Sequence, residues 1–286
     1  MSIQQRNNVH CHGNGRYTIM LVHGYGCDQT MWRLLYPSFA ERFHVILLDL
    51  VGSGGSDLSA YDRDKYSTLH GHAGDMLEII DEFAFGPVIF VGHSVAAMIG
   101  MLATIKAPEK FAAQVMVGPS PSFINDNDYV GGYNSEDIGD LLKMMDDNYL
   151  EWTKAMAPAI MGAPAQPALA KELLVRFQAN NREIARHFGR VTFTADHRAD
   201  VAKSTVPALI LQCSDDLIAP REVGEYLHQH MANSMLKVIT NVGHCPHLSA
   251  PSASAEVITR YLDRVLQRSP PAAQPSATLR RASFDL

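Results

Sequence analysis

Three separated groups of residues together have the types needed for nucleophilic acyl transfer. The first is Gly92-His93-Ser94-Val95-Ala96, set where the apolar run Pro87 to Gly92 gives way to a helical stretch, Ala97 to Ala107. A sharp strand-to-helix turn pushes a serine hydroxyl clear of the backbone. Small residues two before and two after it are needed because strand and helix pass close together there. Ala96 stands where the usual pattern has a second glycine, and it keeps the side chain small. A serine at such a junction also serves simply as a helix cap, so this run does not decide the matter alone.

Acyl transfer through serine further requires a base, an acid to orient it, and donors for the developing oxyanion. Downstream, Cys213-Ser214-Asp215-Asp216-Leu217-Ile218-Ala219-Pro220 follows the apolar run Pro207 to Gln212 and offers two carboxylates. After the next apolar run, Asn241-Val242-Gly243-His244-Cys245-Pro246-His247 offers two imidazoles. The chain order serine, acid, histidine is one of those known for such a triad. His244 comes just after a glycine at a strand end, with His247 as its competitor. A metal cluster built from His244, Cys245 and His247 is disfavoured by Pro246 between them and by the lack of another nearby His or Cys pair, so no metal is expected. Of the 13 histidines, the pairs His70/His72 and His228/His230 fall on expected helices and read as background. The loop His23-Gly24-Tyr25-Gly26 ends the first core strand. The amides of Tyr25 and of Val95 are the expected oxyanion donors. The turn Gly52-Ser53-Gly54-Gly55-Ser56 lacks both the Gly-Lys-Ser/Thr ending and the Gly-x-Gly-x-x-Gly spacing of phosphate-binding loops, so it reads as structural.

The elements that must position these groups follow from periodicity. Val9 to His12 and Tyr17 to His23 flank Gly13-Asn14-Gly15 and predict an opening hairpin. Phe43 to Leu50 and Pro87 to Gly92 are almost continuously apolar, as strands covered on both faces must be. Leu69, Ala73, Met76, Leu77 and Ile80 recur at helical spacing between them, giving a βαβ unit. Ala112 to Val117, Pro207 to Gln212 and Met235 to Ile239 predict three further strands. Val257, Ile258, Tyr261, Leu262 and Val265 predict a closing helix. This is an α/β pattern with a mainly parallel sheet. It is interrupted from about Phe123 to Phe193 by a helical insertion rich in Met and aromatic residues, among them Trp152, Phe177 and Phe188. The expected divisions are 1–122 and 196–266 for the two parts of the core, 123–195 for a helical cap, and 267–286 for a flexible tail dominated by Pro, Ala, Ser and Gln. In that tail, Arg280-Arg281-Ala282-Ser283 has the form of a kinase target, although short basic motifs arise by chance in such segments.

Composition narrows the function classes. A chain of 286 residues can form a large core, and 24 Lys and Arg against 30 Asp and Glu give a net charge of −6. No basic cluster marks the body of the chain, so no nucleic-acid partner is expected. No apolar stretch reaches about 18 residues, so no membrane span is expected. The polar segment Met1 to His10 carries no secretory signal, and the protein reads as cytoplasmic. Cys11, Cys27, Cys213 and Cys245 form no Cys-x-x-Cys pair and suit isolated thiols.

With these residues in place, the chain resembles the α/β-hydrolase superfamily over nearly its whole length, through His23-Gly24-Tyr25-Gly26, Asp49-Leu50-Val51-Gly52-Ser53-Gly54-Gly55-Ser56, the serine turn and Gly243-His244. Cys27-Asp28-Gln29, Met116-Val117-Gly118-Pro119-Ser120-Pro121, Gln212 to Asp216 with Ile218-Ala219-Pro220, and Gly243 to His247 look like the bacterial RsbQ subfamily, to which the plant strigolactone and karrikin receptors are similar. The resemblance implies Ser94 as nucleophile. It selects Asp216 over Asp215 as acid and His244 over His247 as base. It also implies a four-helix cap over a closed apolar pocket. The expected chemistry requires no metal or organic cofactor. Tyr25, His93 and Val95 are expected to line that pocket by adjacency, and Trp152 by the composition of the insertion. The expected activity is hydrolysis of a small, uncharged carboxylic ester or lactone. The alternative is a signalling receptor that binds or slowly cleaves a small apolar messenger and acts through a protein partner, for RsbQ-like proteins a phosphatase.

Overall fold

The apolar runs pair into one seven-stranded sheet in the computed structural model, which describes residues 1–268. The strands are β1 (His10–His12), β2 (Tyr17–Val22), β3 (Phe43–Leu48), β4 (Val88–His93), β5 (Phe111–Val117), β6 (Ala208–Asp215) and β7 (Ser234–Val242). Their order across the sheet is β1-β3-β2-β4-β5-β6-β7. All neighbours are parallel except β1, which runs antiparallel to β3.

The expected opening hairpin does not form, because β1 pairs with β3 and not with β2. The glycines between them serve a close crossing instead of a two-strand turn. A Cβ on Gly13 would lie 2.4 Å from the Phe43 carbonyl oxygen, and one on Gly15 would lie 2.0 Å from that of Arg42. Glycine spacing that suits a hairpin also suits a chain passing tightly over the start of a neighbouring strand.

Eight helices of ten or more residues surround the sheet among the described residues: α1 (Leu69–Phe83), α2 (Val95–Lys106), α3 (Ser135–Asp147), α4 (Tyr149–Met161), α5 (Pro167–Ala179), α6 (Arg182–Thr194), α7 (Arg221–His230) and α8 (Pro251–Arg268). Strand alternation divides the core. Met20, Val22, Phe90 and Met116 pack with α1, α2 and α7 through Met76, Met98 and Leu227. Ile19, Leu21, Val91 and Val115 pack on the other face with α8 through Ile258 and Leu262. Every strand residue from Ile19 to Val22 and from Val88 to His93 is buried, which is why these runs show no polar alternation. None of the described helices is long and apolar enough to cross a membrane.

Helices α3 to α6 all lie between β5 and β6. Each starts at a readable local signal: Asp137 takes the N–H of Asn134, Asn148 takes that of Glu151, Pro167 opens α5, and Asn181 takes those of Glu183 and Ile184. The chain enters and leaves this segment side by side, with Ser122 bridged to Asp196 and His197 N–H donating to Pro121 O at 2.7 Å. The four helices sit on the loops that follow β2 and β7. Asn180 Nδ2 donates to Gly26 O at 2.8 Å, Tyr25 Oη to Ala185 O at 2.9 Å, and Ala163 N–H to Val242 O at 3.0 Å. Helix α8 runs through Arg268 and so takes in the first two residues expected for the tail. The rest of that expectation, including Arg280 to Ser283, lies outside the described residues.

Candidate active site

Ser94 sits between β4 and α2 with φ 56° and ψ −123°, a conformation that costs a non-glycine residue about 1–3 kcal/mol. The neighbouring sequence sustains it. A Cβ on Gly92 would lie 2.5 Å from Ala96 O and 2.7 Å from Ala97 N, so the strand can meet the helix this closely only at glycine. Ser94 N–H is tied to Val117 O at 2.8 Å across β5. Ten of the twelve residues of α2 are buried, which holds the turn rigid.

The longer-than-expected strands β6 and β7 carry the other two groups to the same edge. Asp216 is buried, while Asp215 is exposed: its carboxylate takes only the neighbouring Ser214 hydroxyl, at 3.1 Å, and its carbonyl takes Gly243 N–H at 2.7 Å. Asp216 Oδ1 accepts the N–H groups of Ile218 at 2.9 Å and Ala219 at 3.2 Å, and Oδ2 lies 2.7 Å from His244 Nδ1. Because that carboxylate oxygen accepts, Nδ1 carries the proton and the Nε2 lone pair is left free. Nε2 is buried and has no hydrogen-bond partner among the described residues. It is not hydrogen-bonded to Ser94, although both residues line one cavity.

Backbone packing fixes His244 from three sides. Its N–H donates to Ile160 O at 2.8 Å, and its carbonyl accepts from His93 Nε2 at 2.9 Å. A Cβ on Gly118 would stand 3.0 Å from its Cε1. Gly243, at φ 107°, leaves no room for any side chain, since a Cβ there would lie 1.9 Å from Met161 O. Gly243→Ala is therefore expected to destabilise the fold by about 2–4 kcal/mol, combining left-handed strain with overpacking. Urea unfolding checks this against Gly139→Ala, an exposed position in α3 with nothing within 4 Å, which should gain about 0.5–1 kcal/mol. Equal effects at the two glycines would contradict the packing argument.

The two competing imidazoles part company here. His247 touches no carboxylate; its ring packs 4.6 Å from Trp32 and 4.4 Å from His93, and neither ring nitrogen has a partner among the described residues. Burial pushes its pKa down to about 3. His93 lines the cavity, and burial with two neighbouring imidazoles holds it well below the usual histidine range. His72, read above as background, is fully buried between Tyr66 and Phe188 and is pushed to about 3 by burial.

The cavity between the sheet edge and the four helices is small, about 30 Å³, room for roughly two waters. Its wall includes Tyr25, Phe123, Ile160, Phe177, Phe193 and Ile218, with no Lys, Arg, Asp or Glu. Cys27 and Cys245 also face it. Burial raises the Cys27 thiol to about 12 and Cys245 well above the usual range, so neither is a thiolate nucleophile. Val95, expected in the wall by adjacency, is not among its lining residues; it is the first residue of α2, with its side chain buried in the core, and the Tyr25 and Val95 N–H groups donate to no acceptor among the described residues. Trp152 does not line the cavity. It lies one layer back, stacked on Phe177 at 5.7 Å and edge-on to Tyr25 at 6.0 Å, because α4 turns its largest ring into the helical layer's own core. Phe123, Ile160 and Thr192 carried no local signal in the sequence, and Ile218 was read only as part of the loop after β6; the docking of helices on the sheet edge places all four in the wall.

Fold and site together define an α/β hydrolase. A profile of the Alpha/beta hydrolase family matches residues 19–257, and the chain belongs to that family. It is 36% identical to the Karrikin insensitive 2 receptor CA of Petunia hybrida, over 91% of this chain and 97% of the relative. It is 34% identical to a strigolactone esterase of Arabidopsis thaliana, over 92% and 98% of the two chains. Among solved structures, a hydrolase from Oleispira antarctica superposes with a TM-score of 0.89 at 36% identity, covering 92% of this chain and 96% of that one.

Proposed function

We propose that the protein hydrolyses small, uncharged carboxylic esters or lactones through Ser94, His244 and Asp216. The observation that carries this reading is the free, buried Nε2 of His244, oriented by Asp216 and facing the cavity that Ser94 also lines. Ser94 Oγ attacks the carbonyl carbon while His244 Nε2 takes its proton. The Tyr25 and Val95 amides receive the oxyanion. His244 then gives the proton to the leaving alkoxide, and water, deprotonated in turn by Nε2, clears the acyl-enzyme. A wall without Lys, Arg, Asp or Glu favours an uncharged substrate, since a charged group would be desolvated there without a partner. The helices α3 to α6 act as the cap that excludes bulk water, and Tyr25 Oη holds the oxyanion loop to α6.

The test is covalent capture: an alkyl fluorophosphonate should add one phosphonyl group, found on Ser94 by peptide mass spectrometry. An adduct elsewhere, or none, sinks the assignment. Asp216→Asn should lower kcat about 10⁴-fold, because the amide NH₂ would face Nδ1 and put the proton on Nε2, where a base is needed. Steady-state kinetics on a p-nitrophenyl ester reads this, and a loss under tenfold would remove Asp216 from the mechanism.

The small cavity favours a second role for the same site. A pocket that a drug-sized ligand fills has about 300–1,000 Å³, so here a ligand must open the cap in order to bind. In this reading a small apolar messenger is bound or slowly cleaved, and the shifted cap docks on a partner protein, as suits a chain whose relative is named a receptor. Slow turnover together with a ligand-induced shift in thermal midpoint supports this role, whereas fast turnover of many esters opposes it.

A further inference from the structure

The cavity wall holds a hydroxyl that the acyl-transfer steps do not use. Thr192 lies on α6, is 3% exposed and lines the cavity, yet its Oγ1 has no hydrogen-bond partner among the described residues. A helical threonine ordinarily closes its hydroxyl on a carbonyl three or four residues back. Three others in this chain do so: Thr104 on Met101 O at 2.7 Å, Thr153 on Leu150 O at 2.7 Å, and Thr194 on Arg190 O at 2.9 Å. Thr194 is on the same helix, two residues further on, so α6 itself permits the closure that Thr192 does not make. Phe123, Ile160, Phe177, Phe193 and Ile218 in the same wall have no side-chain acceptor to offer in its place, and the polar atoms of Tyr25, His93, Ser94 and His244 in that wall make no bond to it. Valine has the same shape and would bury nothing polar, so the hydroxyl is an added polar group in an apolar wall.

We propose that Thr192 Oγ1 is a specificity-determining donor for the substrate. It binds a second oxygen, an ether or carbonyl, remote from the scissile carbonyl. This rests on the hydrolase reading and deepens it: the preferred substrates are uncharged esters or lactones that carry another oxygen function, not simple hydrocarbon acyl esters. Ser94 belongs to the sheet edge and Thr192 to the helical layer, so the two oxygens of one substrate are read from two different elements. An uncharged ether or carbonyl offers only acceptors, so Oγ1 donates.

The experiment compares p-nitrophenyl methoxyacetate, 3-methoxypropanoate and 4-methoxybutanoate with the esters in which CH₂ replaces the ether oxygen. The quantity is the oxygen-over-methylene preference in kcat/KM for wild type and Thr192→Val. Their ratio cancels the intrinsic reactivity of each ester. For at least one chain length the preference should fall tenfold or more in Thr192→Val, while the thermal midpoint stays level or rises. A preference unchanged within twofold at every length overturns the proposal, as does a fall in midpoint of several degrees, which would mean that the hydroxyl serves the fold. The same pairs are scored by thermal shift on Ser94→Ala with and without Thr192→Val. That arm reads Thr192 through binding alone, so it separates failure of this inference from failure of the hydrolase reading.

Discussion

Ser94→Ala is expected to lower kcat for p-nitrophenyl butanoate by at least 10⁴-fold while leaving the thermal midpoint within about 2 °C. In the proposed mechanism, loss of Ser94 Oγ removes the covalent route and leaves only what the oxyanion donors and binding can do with water, a small residue of the original rate. The fold should tolerate the change. Ser94 Oγ makes no hydrogen bond among the described residues, so none is broken, and alanine keeps the same Cβ, so the strain at φ 56° is carried over unchanged. Side by side, the two readouts discriminate. A rate loss with a lowered midpoint would report damage to the turn, whereas turnover within tenfold of wild type would mean that another group is the nucleophile.

Acid is expected to unfold the protein well above the pH at which carboxylates protonate. His72, His93 and His247 are buried and held below the ordinary histidine range, His72 and His247 at about 3. An unfolded histidine titrates near 6.5. Above that pH both states are neutral at these positions and nothing is gained or lost. Below it the unfolded chain binds protons that the folded chain refuses, so stability falls by up to about 1.4 kcal/mol per pH unit for each group. For His72 and His247 the loss continues to about pH 3. The groups around them reinforce the effect: His23 and Lys65 lower His72, and His244 and Arg33 lower His247. Urea unfolding at pH 7.5 and 5.0 should differ by several kcal/mol, and His72→Phe, whose ring can occupy the slot between Tyr66 and Phe188, should remove about a third of that difference. A midpoint flat across this range would show that the imidazoles take up protons in place.

Much of the site was legible because its chemistry requires particular neighbours in sequence. The serine turn needs small residues at fixed offsets, and the spacing seen at Gly92 and Ala96 follows from a contact between those two residues' own backbones. The choice of Asp216 over Asp215 and of His244 over His247 was open on spacing and rested on resemblance. In the folded chain it is Asp216 Oδ2 that meets His244 Nδ1, while Asp215 faces solvent and His247 packs on Trp32.

The amino-acid sequence by itself determined the strands and helices of the sheet layer, the α/β class and the loops on which the polar residues sit. Each of these depends on periodicity or on contacts between residues close in the chain. Only the tertiary structure decided that β1 pairs with β3, since Gly13 and Gly15 answer to Phe43 and Arg42 about thirty residues away. It also decided which aromatic rings reach the cavity. Trp152 and Phe177 look alike as apolar residues on amphipathic helices, and the docking of α4 and α5 puts Phe177 in the wall and Trp152 behind it. The same holds for Thr192, whose hydroxyl is brought to the cavity wall only because α6 lies over the sheet edge, and is left there without a hydrogen-bond partner among the described residues. Periodicity tells that a residue is buried, but what it is buried against is set by elements distant in the chain.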